Sequence, residues 1–117
     1  MKFYPFSPAE QDAVRFFGMS GYRYVMETKK VIAFFSEKRS DWIYFNREAE
    51  GTSIVVALNG RPKPTAEDRG MRASSNFHKL PIGPTSRGKM NHQGRQFALP
   101  HGSHIPSFLT QLNGTVP

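Results

Sequence analysis

The chain of 117 residues contains no cysteine, and this absence excludes several kinds of site at once. Without thiols there is no disulfide framework, no thiolate nucleophile and no zinc site built on cysteine. The chain also lacks an apolar run of the roughly 18–20 residues that a membrane-spanning helix needs, and its start lacks the apolar stretch of a signal peptide. We therefore expect a single cytoplasmic domain over residues 1–117, with no membrane contact and no cofactor.

Acidic side chains are scarce in the second half of the sequence. Residues 59–117 hold eight of the 16 lysines and arginines but only two of the nine acidic residues, Glu67 and Asp68, so they carry +6 of the net charge of +7. Charge asymmetry of this kind favours a polyanionic partner, DNA or RNA. The side chains predicted to contact phosphates are Arg61, Lys63, Arg69, Arg72, Lys79, Arg87, Lys89 and Arg95.

The first regular element is marked by its capping residues. Ser7 and Glu10 form the sequence pattern of a capping box, and Pro8 occupies the first helical position between them. Apolar residues then recur at helical spacing until Gly18, which is a typical helix stop. The pattern predicts a helix over residues 8–17.

The following residues are typical of short strands. Connections of about five residues between apolar, β-branched runs favour antiparallel hairpins. The predicted strands are residues 22–28, 31–35, 41–46, 52–58 and, later, 96–99. A short helix is predicted over residues 105–112, with Pro106 near its start. We therefore expect an α+β fold, with an antiparallel sheet of four to five strands (the 22–58 meander plus 96–99) packed by the two helices.

Residues 59–95 are predicted to be one long, ordered, basic loop. Prolines and glycines interrupt any regular pattern there, and only Phe77, Leu80 and Ile82 are candidates to anchor the segment to a core. Two of the strands, residues 31–35 and 53–58, lack strict alternation of apolar and polar residues. This favours a sheet that is covered on both faces over part of its area.

Residues 83–89 match the first seven positions of the phosphate-binding P-loop. The eighth position is Met90, so the hydroxyl that would hold magnesium is missing, and the pattern also requires a helix afterwards. A looser interpretation is an anion-binding nest of backbone amides beside Arg87 and Lys89. The alternative is an ordinary flexible basic loop.

The four histidines all lie in the part of the chain without acidic residues. His101 and His104 are three positions apart at a turn, which is an incomplete metal pair. A second interpretation is a toxin-like RNase that needs no metal, in which His101 and His104, or His92, act as general base and general acid. The alternative is that these histidines are ordinary polar turn residues.

Part of the C-terminal region loosely resembles the HicA family of small RNase toxins. In residues 92–114, His92 precedes a strand, which a proline turn and a closing amphipathic helix follow. The likeness covers about a fifth of the chain. The Gly-Ser/Thr-His signature of the family does not precede the strand here and occurs only after it, at His104, so the resemblance does not assign the chain to that family.

Aromatic side chains on the predicted strands are interleaved with cations. An exposed aromatic sheet face with flanking cations can stack single-stranded bases, whereas a buried one only builds the core. Tyr22 and Tyr24 are expected to share one face, and Trp42 and Tyr44 another, with one of the two faces exposed or at an interface. The candidates for stacking are Tyr22, Tyr24, Trp42 and Tyr44.

Three functional hypotheses follow from these observations. The first is a non-enzymatic module that binds the phosphate backbone of nucleic acid through residues 61–95. The second is the RNase that uses His101 and His104. The third is a homodimeric protein-interaction domain, in which packing against a second copy orders the basic loop.

Overall fold

The computed structural model describes residues 5–114. Its helices lie near the two ends of the chain, and all its strands lie between them. A first helix, α1, is followed by seven strands, a short 3-10 helix and a second helix, α2. Their bounds are α1 Pro8–Met19, β1 Arg23–Glu27, β2 Val31–Ser36, β3 Asp41–Asn46, β4 Thr52–Val56, β5 Glu67–Ala73, β6 Ile82–Pro84, β7 Met90–Leu99, the 3-10 helix Gly102–His104 and α2 Ile105–Leu112.

Helix α1 starts at the predicted capping box. The Glu10 amide donates to the Ser7 hydroxyl at 3.2 Å, and the Ser7 amide donates to the Glu10 carboxylate at 2.8 Å. The helix runs two residues beyond its predicted end, because Gly18 stays helical and the chain turns only after Met19. A glycine inside the last turn lowers helix stability without ending the helix.

The strands form one antiparallel sheet in the order β1-β2-β3-β4-β7-β5, with β6 paired to β7. The predicted α+β class and the meander of β1 to β4 are confirmed. Strand β3 and helix α2 have the bounds predicted from the sequence. Within residues 5–114, no helix is long and apolar enough to cross a membrane.

The predicted strand count and the predicted loop over residues 59–95 need correction. The sheet has seven strands instead of four to five, because β5, β6 and the first half of β7 lie in the supposed loop. Strand β5 is a sheet edge whose side chains are mostly exposed and polar, so it lacks the apolar alternation of a strand. Residues 90–95 are extended because they pair with β5 and β6, and not because their own residue types favour a strand.

One face of the sheet, called the helix face below, packs against α1 and α2. Phe17 stacks on Phe34 at a ring-centroid distance of 4.3 Å, and Phe97 meets Phe108 edge-on at 5.5 Å. Fifteen buried side chains form this cluster, to which both helices, four strands and Tyr22 contribute. It is the main core of the protein.

The opposite face is covered by the segment that joins β5 to β6. Phe77 and Leu80 of this segment are buried against Tyr44 and Val55, so the predicted two-sided burial is confirmed. Ile82 is 57% exposed, so the prediction that it anchors this segment to a core is wrong. Beneath Leu80, strand β7 carries Gly94, where a Cβ would lie 2.8 Å from the Leu80 side chain and from a backbone oxygen. The close cover therefore requires glycine in β7.

Candidate nucleic-acid interface

One end of the sheet gathers cations that are distant in the sequence. Because neighbouring strands are antiparallel, β3 and β7 begin at the end where β2, β4 and β5 finish. We call it the basic end. Its exposed cations come from the β2–β3 turn, the end of β5 and the β6–β7 turn, and they are Lys38, Arg39, Arg72, Arg87 and Lys89.

These five side chains have no carboxylate partner in the described part of the chain. Within residues 5–114, none of them forms an ion pair, and Arg72 donates only to a backbone carbonyl, at 3.1 Å. The two acidic residues at this end are already matched. Glu37 pairs with Arg23 at 3.2 Å, and Asp41 pairs with Arg61 at 2.8 Å. The basic end therefore carries uncompensated positive charge.

Two of these cations, Arg87 and Lys89, lie in the β6–β7 turn, whose backbone is fixed by hydrogen bonds. The Thr85 amide donates to the Lys89 carbonyl and the Gly88 amide donates to the Thr85 carbonyl, each at 2.9 Å. Gly88 has φ 80°, which only glycine adopts without strain. A shallow cleft of about 400 Å³ beside the turn is lined by Arg87 and Lys89. A strand follows the turn, so the helix that a P-loop needs is not formed.

Arg61, predicted as a phosphate contact, lies in an internal network. It donates to both oxygens of Asp41, at 2.9 and 2.8 Å, and to the side-chain oxygen of Asn113 at 2.7 Å. Burial disfavours its charge, but the hydrogen bonds and charge of Asp41 outweigh burial and raise the pKa of Arg61. Tyr22 donates to Asp41 at 2.7 Å, and burial followed by this hydrogen bond raises the pKa of Tyr22 to about 12.

Three more of the predicted phosphate contacts have acidic partners. Lys63 and Arg95 both form ion pairs with Asp68, at 2.7 and 3.1 Å, and Arg69 forms one with Glu67 at 3.0 Å. The Lys63 hydrogen bond, followed by the Gly70 amide, lowers the pKa of Asp68 to about 2. The predicted cations without an acidic partner among the described residues are Arg72, Lys79, Arg87 and Lys89.

The basic end is bordered by a row of alternating rings and cations on the face opposite the helices. The rings of Phe35 and Trp42 lie 4.6 Å apart with an interplanar angle of 37°, and both are half-buried. The Arg23 guanidinium lies 5.9 Å from the Phe35 ring, and the Lys79 ammonium lies 5.4 Å from the Trp42 ring. We call these four side chains the aromatic ladder.

The other candidates for stacking are placed differently. Tyr22 and Tyr44 are fully buried, so neither offers a ring to a base. Tyr24 is 38% exposed on the helix face, where its ring meets Phe6 edge-on and its hydroxyl donates to Glu27 at 2.8 Å. Trp42 is the candidate that adjoins the basic end.

The histidines do not converge on one site. His92 lies near the start of β7, with its Nδ1 2.8 Å from the Leu80 carbonyl, whereas His101 and His104 follow the other end of that strand. At about 3.3 Å per residue, the strand separates the two groups by roughly 20 Å. Among residues 5–114, no three His, Asp or Glu side chains are close enough to hold a metal ion.

His101 and His104 occupy different surroundings. His101 caps the 3-10 helix by accepting the Ser103 amide at 3.1 Å, and its Nε2 lies 3.5 Å from Asp12. His104 lines a separate cavity of about 520 Å³ together with Glu67 and Arg69. His78 lies against the ring of the buried Tyr44, with ring centroids 6.2 Å apart.

The predicted phosphate contacts did not include Lys38 and Arg39, which the sequence placed only as cations beside the aromatic strands, and the stacking candidates did not include Phe35. A signal was present, since Lys38 and Arg39 stand in the polar run between two confident strands, where a hairpin turn exposes them. Phe35 carries no such signal. Comparison of the chain with protein-family models, with curated proteins and with solved structures finds no match.

Proposed function

We propose that this chain is a non-enzymatic, cytoplasmic module that binds the phosphate backbone of nucleic acid at its basic end. The observation that supports the proposal is that five exposed cations from three separate elements meet at one end of the sheet, without acidic partners within residues 5–114. Phosphate is the dense polyanion that such a surface attracts, and lysine and arginine contacts to it position the ligand without reading its sequence.

The spacing of the two turns suits one continuous backbone. Strands β3 and β7 are separated only by β4, so they lie about 10 Å apart across the sheet. The register places the start of β7 three residues, or about 10 Å, beyond the start of β3, so the anchors of the two turns are about 14 Å apart. Lys38 and Arg39 extend from one turn, and Arg87 and Lys89 extend from the other. A single backbone crossing this end can therefore contact both pairs.

The proposal uses a subset of the sequence prediction. Arg61, Lys63, Arg69 and Arg95 are engaged by carboxylates within the protein, so they are not assigned to phosphate here. The homodimer hypothesis stays a prediction. The RNase hypothesis also stays a prediction; His101 and His104 occupy different surroundings, and His92 is remote from both.

The test is fluorescence anisotropy with labelled 20-mers of single- and double-stranded DNA and RNA at 50 mM salt. We expect binding that weakens strongly in Arg87→Gln/Lys89→Gln. The matched control is Lys29→Gln/Lys30→Gln, which removes the same charge from exposed lysines in the β1–β2 turn, at the opposite end of the sheet.

Two results would contradict the proposal. One is the absence of binding to all four nucleic acids at 50 mM salt, where phosphate contacts are strongest. The other is an equal loss of affinity in both double variants, because that would trace binding to net charge and not to the basic end.

A further inference from the structure

We infer that the nucleic acid bound at the basic end is single-stranded, with one base stacked on the indole of Trp42. The inference rests on the proposed function and adds the class of ligand. It starts from the aromatic ladder, in which Arg23, Phe35, Trp42 and Lys79 form a row of rings and cations beside the basic end.

The ladder is joined to the basic end by short stretches of chain. Trp42 is the second residue of β3, three residues after Arg39, and Phe35 stands one residue before the end of β2. The aromatic pair therefore flanks the turn that carries Lys38 and Arg39. A base on Trp42 has its own phosphates within the reach of these two side chains.

Lys79 is the group that a base must replace. Its ammonium lies against the Trp42 ring, while its backbone amide donates to the Tyr44 hydroxyl at 3.0 Å. The backbone is thus held and only the flexible side chain has to move. An exposed cation–π contact is worth about 2- to 5-fold in an equilibrium, whereas stacking of a base on an aromatic ring is worth about 5- to 150-fold.

The displaced lysine does not lose its role. Once it leaves the ring, the Lys79 ammonium is free to reach a phosphate next to the stacked base, and the exchange adds one cation to the backbone contacts. Arg23 stays on Phe35 at the other end of the ladder, where Glu37 holds it at 3.2 Å. The rings therefore keep their mutual packing.

The geometry favours a single strand over a duplex. Bases in a duplex are stacked on one another and present only their edges, whereas unpaired bases can present a face to an aromatic side chain. Phe35 and Trp42 are half-buried and pack on each other on a sheet face, so neither ring protrudes as a wedge that could enter between base pairs.

Trp42 is the only tryptophan in the chain, so its fluorescence reports on this site alone. The experiment titrates the wild-type protein with unlabelled dT20, rU20 and a 20-base-pair DNA duplex, and follows intrinsic emission beside anisotropy with labelled versions. We expect dT20 or rU20 to quench the emission along the same saturation curve as the anisotropy. The duplex should leave the emission unchanged.

Two variants sharpen the result. Trp42→Ala should lower the affinity for dT20 by about 5- to 150-fold and leave duplex affinity unchanged. The control Tyr24→Ala removes an exposed aromatic ring from the helix face and should change neither affinity. If Trp42→Ala proves unfolded by circular dichroism, the wild-type titration decides alone.

The outcomes separate the two proposals. Anisotropy binding without quenching, or equal affinity of Trp42→Ala and wild type for dT20, overturns the inference and leaves backbone binding intact. Absence of any anisotropy change overturns the proposed function and the inference with it. Quenching by the duplex equal to that by dT20 also overturns the preference for a single strand.

Discussion

The two ends of the sheet use their cations in opposite ways. At the end of the sheet opposite the basic end, the side chain of Arg47 is only 9% exposed. It donates two hydrogen bonds to the Glu10 carboxylate, at 3.0 and 3.2 Å, and lies 3.5 Å from the Glu27 carboxylate. It also donates to the carbonyls of Thr28 and Pro5, at 2.8 and 3.0 Å. At the basic end, Lys38, Arg39, Arg87 and Lys89 are exposed and have no acidic partner among the residues that the structure describes.

This difference separates charge that holds the fold from charge that is free to act. Arg47 connects α1 to the ends of β1 and β3, so its charge is neutralised by carboxylates within the protein. Partner-free cations repel one another and add nothing to folding. Their collection at one end is the basis of the proposed binding function, and the contrast between the two ends can be tested by mutation.

The largest effect is expected at Arg47. In Arg47→Met the carboxylates of Glu10 and Glu27 stay nearly buried without their cation, and Glu27 Oε2 already lacks a hydrogen bond in the described structure. We expect the free energy of unfolding to fall by about 3–5 kcal/mol, measured by urea denaturation. Nucleic-acid affinity measured well below the transition should be unchanged.

The comparison would break if Arg47→Met were neutral. The triple variant Arg47→Met/Glu10→Gln/Glu27→Gln provides the control, because it removes the unpaired charges together with their partner. It should recover part of the lost stability. No recovery would place the effect of Arg47 in packing and not in charge.

The second effect concerns the internal network of the basic end. Tyr22 has a pKa of about 12 in the folded protein, raised first by burial and then by its hydrogen bond to Asp41, against 10 for the free side chain. The folded state favours the neutral phenol, so this contribution is fully present below pH 10 and is lost as pH rises from 10 to 12. The loss is about 2–3 kcal/mol.

The measurement is the free energy of unfolding of wild type and Tyr22→Phe at pH 9 and pH 12. Other groups that titrate in this window are common to both proteins. The wild type should therefore lose more stability than the variant over the interval. Equal losses in the two proteins would show that the Tyr22 hydroxyl ionises as it does in the unfolded chain.

The smallest effect on stability is expected from the free cations. Lys38→Gln/Arg39→Gln/Arg87→Gln/Lys89→Gln removes four exposed charges that have no acidic partner among residues 5–114. Thermal and urea unfolding should change by no more than about 0.5 kcal/mol per site, with relief of repulsion favouring the folded state. A large destabilisation would mean that the basic end is structural, as Arg47 is.

Much of the fold could be predicted because local chemistry determines it. The capping box of Ser7 and Glu10 marks the start of α1, and apolar runs between polar turns define β2 to β4. Strand β5 and the first half of β7 could not be predicted, because their residues are polar and Gly94 interrupts the pattern. They are strands because β7 pairs with neighbours on both sides.

The candidate site was predictable only in part, for a related reason. Composition shows an excess of cations in the second half but not which of them meet an acid. Arg61 meets Asp41 across 20 positions and Arg95 meets Asp68 across 27, contacts that only the tertiary structure creates. Burial likewise separates Trp42 from Tyr22 and Tyr44, which look alike in the strand pattern.

The most direct test of the account is the salt dependence of binding to dT20. Five contacts from the basic end and a sixth from the displaced Lys79 predict a slope of log K against log salt near −4 for a single strand, or a loss of roughly 300-fold between 50 and 200 mM. The four-site basic-end variant should flatten this slope by about 3, while Lys29→Gln/Lys30→Gln should leave it unchanged. Parallel slopes for wild type and the four-site variant would contradict the account.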